Sequence, residues 1–128
     1  MSSNRDIIAA HYEASDRGDV DEMLAPLAPD ARWTEMAGFP YAGTYIGPAE
    51  VRRNVFERIG ADWEAYRADI TELIDGGDTV IGLGTYSGTN RASGRFFEAR
   101  VAHVWRLEGG RVVAFEQFTD TARVRDAL

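Results

Sequence analysis

The chain has 128 residues, 45% of them apolar, and a formal charge of −7. That length supports one hydrophobic core rather than two, so residues 1–128 are expected to form a single domain. There is no cysteine and all 14 basic residues are arginines, which removes disulfides, thiolate metal sites, a thiol nucleophile, a Schiff-base lysine and a phosphate-loop lysine.

The acidic balance argues against nucleic acid and anionic membranes as partners. No run of about 18 apolar residues offers a membrane span, and Met1 to Asp6 is too polar to open a secretory signal. A cytoplasmic protein is expected.

From Asn4 to Arg17, the residues Ile7, Ile8, His11, Tyr12, Ala14 and Ser15 fall on one helical face, with Ser3 and Asp6 as start signals and Gly18 as the stop. A short second helix runs from Asp19, its cap, to about Ala25, where Pro26 and Pro29 end it. Ala31 to Met36 reads as a short strand with Trp33 and Glu35 on one face. Ala37 to Gly47, with Phe39, Pro40, Tyr41, Tyr45 and three glycines, reads as an aromatic loop. Pro48 opens a third helix carrying Val51, Val55, Phe56 and Ile59, and Gly60 is its expected stop.

After Trp63 the period changes to two. Ala68 to Ile74, Thr79 to Thr89, Arg95 to Leu107 and Arg111 to Phe118 form four strands of a meander, joined by turns at Asp75-Gly76-Gly77-Asp78, Thr89 to Gly94 and Glu108-Gly109-Gly110. A last short helix, Thr121 to Leu128, follows a cap at Thr119 or Asp120. Gly82 and Gly84 leave one face of their strand without side chains and let it bend. The sum is an α+β domain: a cone-shaped, curved antiparallel sheet wrapped around N-terminal helices and enclosing a pocket.

The runs Gly18-Asp19-Val20-Asp21, Pro29-Asp30-Ala31-Arg32-Trp33 and Gly109-Gly110-Arg111-Val112-Val113, in this order of elements, resemble the SnoaL-like and ketosteroid isomerase-like superfamily, which shares the nuclear transport factor two-like fold. The resemblance covers essentially the whole chain. It implies a general base on the first strand five residues after Asp30, which is Glu35, and oxyanion donors at His11, seven residues before Gly18, and at His103, four before Leu107. In the steroid isomerases those donors are a tyrosine and a protonated aspartate. Here both positions are histidines, and Tyr12 stands next to His11 as an equal candidate. SnoaL-type polyketide cyclases are similar at His103 but carry their acid on the final strand, where this chain has Glu116 and Gln117 side by side. A one-residue shift of register decides which faces inward.

The residues themselves support the same positions. Glu35 shares a strand face with an apolar tryptophan, and His103 interrupts the otherwise apolar series Ala99, Val101, Trp105, Leu107. The expected substrate contacts are Tyr12, Trp33, Phe56, Trp63, Trp105, Gln117 and Phe118. His11, Glu35 and His103 lie on three separate elements without a metal-ligand motif, so neither metal nor organic cofactor is expected.

The expected activity is proton abstraction next to a carbonyl, of isomerase, cyclase or dehydratase type, on a small hydrophobic keto substrate, with Glu35 raised to about 6 to 7 by burial. A non-catalytic ligand carrier and an epoxide hydrolase-like enzyme are the alternatives. The resemblance also implies a homodimer.

Overall fold

The computed structural model describes residues 3–128. Helix α1 (Asn4–Arg17) ends where its caps dictate: the Ser3 hydroxyl accepts from the Asp6 backbone N–H at 3.1 Å, and Gly18 closes the helix at φ 70°. Asp19 caps α2 (Val20–Leu24) through the Glu22 N–H at 3.2 Å.

Strand β1 (Leu27–Glu35) starts at Leu27 rather than Ala31. Leu27 and Ala28 are buried and Leu27 already pairs with Val112; a register shift before Arg32 then absorbs the exposed Pro29 and Asp30. The segment read as an aromatic loop contains a strand, β2 (Gly43–Ile46), which pairs antiparallel with β1. Its glycine and its exposed positions hide the alternation that marks a half-buried strand, and the pairing is reinforced by a Thr34–Thr44 hydroxyl bond of 2.9 Å.

The third helical segment is longer than its sequence signals suggested. It runs through α3 (Gly47–Val51), a π-helical turn (Arg52–Phe56) and α4 (Glu57–Asp62). Gly60 stays inside the helix, and the chain turns extended only at Trp63.

The remaining strands are β3 (Trp63–Asp75), β4 (Thr79–Asn90), β5 (Phe96–Glu108) and β6 (Arg111–Thr119), followed by α5 (Thr121–Arg125), capped by Asp120 and shorter than expected. Together they form one six-stranded sheet in the order β2-β1-β6-β5-β4-β3. The antiparallel expectation holds for every neighbouring pair except β1 and β6, which run parallel. β3 begins at Trp63 instead of Ala68 because a bulge between Glu64 and Arg67 extends the pairing, with Ala65 held at φ 53°.

The inward glycines of β4 explain how closely the parts approach. A Cβ on Gly84 would lie 2.1 Å from the Asp69 carbonyl oxygen of β3, and one on Gly82 would lie 2.7 Å from the Tyr12 hydroxyl. The first lets the sheet coil; the second lets α1 settle onto it. One core cluster, including Ile8, Leu24, Val51, Val80, Trp105 and Val112, lies under α1 to α3. A second, including Phe39, Tyr41, Trp63, Phe97 and Val124, fills the other end. Among the described residues no helix is long and apolar enough to cross a membrane.

Candidate functional site

Between the helices and the sheet lies a cavity of about 790 Å³, whose walls come from both core clusters. Of the residues singled out from the sequence, His11, Tyr12, Trp33, Glu35, Phe56, Trp63 and His103 line it. Asp16, Arg17, Gly60, Arg67 and Arg91 also line it and are exposed, which puts its mouth beside the end of α1 and the end of α4.

Three expected contacts sit elsewhere. Phe118 is 43% exposed on the outer face of β6, one residue out of phase with the buried Gln117. That assigns the inward position on β6 to Gln117 and leaves Glu116 exposed. Gln117 and Trp105 lie behind the wall rather than in it, and act through their hydrogen bonds to wall residues.

Glu35 is fully enclosed at the end of β1, and one carboxyl oxygen, Oε2, has no hydrogen-bond partner; neither does the buried indole N–H of Trp33. Burial pushes the Glu35 carboxyl up to about 8, and the neighbouring Trp33 indole, close but outside hydrogen-bond geometry, pulls it back only in part. The carboxyl is therefore mostly protonated at neutral pH. It is near enough to Tyr66 and Tyr86 to raise both phenols further, beyond what their burial does.

Beside Glu35 in the same sheet, through Gln117 of β6 and on to His103 of β5, lies a fully connected set of polar groups. The Trp105 indole donates to the Tyr12 hydroxyl at 2.8 Å, and that hydroxyl bonds His103 Nδ1 at 2.7 Å. His103 Nε2 bonds the Tyr86 hydroxyl, to which the Gln117 amide donates at 3.1 Å. Burial lowers His103 to about 3, so it is neutral across the physiological range. Its two nitrogens are thus occupied by tyrosines and do not reach a ligand directly.

His11 is held differently. Its Nδ1–H donates to the Met23 carbonyl at 2.9 Å, and burial brings its pKa down to about 4. Nε2 consequently keeps a lone pair and accepts rather than donates. Edge contacts to Trp105 (4.6 Å between ring centroids) and Tyr12 (5.0 Å) fix the ring. Among the described residues no three His, Cys, Asp or Glu side chains converge on a common point that would hold a metal.

Tyr66 and Tyr86 were not singled out from the sequence, yet both line the cavity. The signal for Tyr86 was present, because it shares the inward parity of Gly82 and Gly84 on β4. Tyr66 follows the bulge at Ala65, where alternation no longer tells which face a side chain takes.

A curved sheet folded over helices, with one orphaned carboxyl beside a bonded series of tyrosine and imidazole groups, defines a nuclear transport factor two-like ligand cavity. The profile of the SnoaL-like domain matches residues 8–115, and the chain belongs to that family. It is similar to an NTF2-like protein from Burkholderia thailandensis E264, with 55% identity over 99% of this chain and 98% of that one and a TM-score of 0.98. An NTF2-like protein of unknown function from Burkholderia pseudomallei K96243 is 35% identical, with 99% and 98% coverage and a TM-score of 0.90. TerC, co-crystallised with polyporic acid, is 25% identical, with 98% coverage of both chains and a TM-score of 0.85. No curated protein matches the chain.

Proposed function

We propose that the protein is a cofactor-independent enzyme that removes a proton next to a carbonyl group of a small hydrophobic organic substrate, as an isomerase, cyclase or lyase does. The observation that carries this reading is the buried, unpartnered carboxyl of Glu35 in the same cavity as a hydroxyl pair anchored on His103. A carboxyl held near 8 is a strong enough base, once ionised, to take a carbon-bound proton, and a pre-set hydroxyl stabilises the enolate that results. His103 acts by holding the tyrosines, and His11 offers an acceptor at Nε2.

An organic ligand suits the aromatic walls, and a relative was co-crystallised with polyporic acid. Paired-carboxylate epoxide hydrolysis lacks a second buried carboxylate, since Glu35 is the one that is buried among the described residues. A homodimer through the outer sheet face is part of the proposal: Ile81, Leu83, Ala102, Val104 and Phe118 lie side by side there and are incompletely buried. We place it in the cytoplasm.

The test is exchange of α-protons from a panel of enolisable ketones in deuterated water, followed by NMR. Exchange should be catalysed by the wild type, rise with pH through about 8 as Glu35 ionises, and fall roughly 10²- to 10⁴-fold in Glu35→Gln. Undiminished exchange in the variant would remove Glu35 from the mechanism.

A further inference from the structure

The chain Trp105, Tyr12, His103, Tyr86, Gln117 has donors of fixed polarity at both ends. An indole nitrogen can only donate. The Gln117 amide is oriented by the Met36 backbone N–H, which donates to its Oε1 at 3.3 Å and so turns Nε2 toward Tyr86. Both ends therefore point hydrogens inward, at the two hydroxyl oxygens.

Between those ends are two bonds to fill, Tyr12 to His103 and His103 to Tyr86. Three protons are available to fill them: one on each tyrosine and one on the neutral imidazole. One hydroxyl proton is always left over. With the imidazole proton on Nδ1, His103 donates to Tyr12, Tyr86 donates to Nε2, and the Tyr12 proton is free. With the proton on Nε2, His103 donates to Tyr86, Tyr12 donates to Nδ1, and the Tyr86 proton is free. Both hydroxyls belong to cavity-lining residues.

We propose that Tyr12 and Tyr86 are alternative hydrogen-bond donors to an anionic or enolate oxygen of the ligand, and that the tautomer of His103 selects which of them donates. The proposal deepens the reading of the cavity as a carbonyl site and rests on it. It gives the site one hydroxyl donor that can act from either of two positions, so the ligand oxygen is recognised at two places along the wall. Tyr86 becomes a substrate-contacting residue and His103 a positioning one.

The experiment uses 4-nitrophenol, whose ionised form absorbs visible light and presents an oxyanion without being turned over. Affinity is measured for the wild type, Tyr12→Phe, Tyr86→Phe and the double variant. Each single substitution removes one of two alternatives and should weaken phenolate binding about two- to threefold. The double variant should weaken it about 10- to 100-fold, the loss of a hydrogen bond to a charged acceptor, far more than the product of the singles. One single substitution accounting for the whole loss, or two losses that simply multiply, would overturn the proposal. So would absence of phenolate binding by the wild type.

Nitrogen-15 NMR of His103 supplies a readout that a packing role leaves untouched. With the probe bound, Tyr12→Phe should hold the imidazole proton on Nε2 and Tyr86→Phe on Nδ1; the same tautomer in both refutes the selection. Should either variant fail to fold, the wild type alone decides: a neutral His103 whose tautomer ratio changes on adding probe supports the proposal. An imidazolium in the free protein, or an indifferent ratio, overturns it. Because nothing is turned over, failure here leaves the Glu35 exchange test standing, and failure of that test leaves the phenolate result to be read on its own.

Discussion

Two adjoining polar stretches of the cavity wall are built on opposite principles. On β1, Glu35 Oε2 and the Trp33 indole are buried without partners, whereas next to them in the sheet and on α1 five polar side chains, from α1, β4, β5 and β6, bond one another in series. A buried polar group lacking a partner destabilises the fold by about 1–3 kcal/mol, while a satisfied network holds its members rigidly in place. The contrast separates what the protein needs in order to stand from what it holds ready for a ligand. The connected wall sets geometry, and the orphaned wall stores reactivity.

Breaking the connected wall should have the largest effect on stability. His103→Phe takes one hydrogen bond from each of two tyrosine hydroxyls, leaving them only those from Trp105 and Gln117, and should destabilise the protein by about 2–4 kcal/mol in urea denaturation. A loss below about 1 kcal/mol would mean that the hydroxyls find other partners. Gly82→Ala attacks the same wall sterically. The added carbon would sit 2.7 Å from a hydroxyl that is itself bonded on two sides, so it should cost about 1–3 kcal/mol and weaken phenolate binding as well.

The orphaned wall should show itself through pH. An unfolded glutamate ionises near 4.5 and the folded one near 8, so the folded state binds the extra proton between those values and stability falls as pH rises through them. His11 and His103 work the other way: they stay neutral in the fold while the unfolded state takes up protons below 6.5, so stability falls as pH drops from there. The two trends meet in a stability maximum near pH 6.5. Between pH 6.5 and 8 the wild type should lose about 1 kcal/mol, the Glu35 decline being partly offset by the two histidines, and Glu35→Gln should lose none of it. An equal decline in the variant would assign the slope to another group. The smallest effect belongs to the outer face: Phe118→Ser should leave phenolate affinity unchanged and move stability by less than about 0.5 kcal/mol, while shifting light-scattering mass from dimer toward monomer.

What the sequence disclosed follows from how local each signal was. The bounds of α1 were legible because Ser3 and Gly18 act within one turn of the backbone they terminate. The alternation of β4 and β5 was legible because both strands are long and one face of each is buried. Strand β2 was not, since its stability comes from pairing with β1 and not from its own four residues. Phe118 was misplaced for a related reason: Glu116, Gln117 and Phe118 fit either phase, and the partner residue His103 opposite Gln117 decides between them. The connected wall was the least legible feature, because its five members come from four elements and only the fold makes them neighbours.

The π turn of Arg52–Phe56 has a consequence for how such a cavity changes size. A π turn accommodates one residue more than the α-helix would in the same stretch, and this one delivers Val55 and Phe56 to the cavity wall. Removing a residue there would favour the regular helix and so shift where Val55 and Phe56 meet the cavity, while buried Val51 before the turn and buried Trp63 after α4 anchor the chain at either side. The length of this turn therefore bears on the size of the cavity from a segment that carries neither Glu35 nor the tyrosine pair.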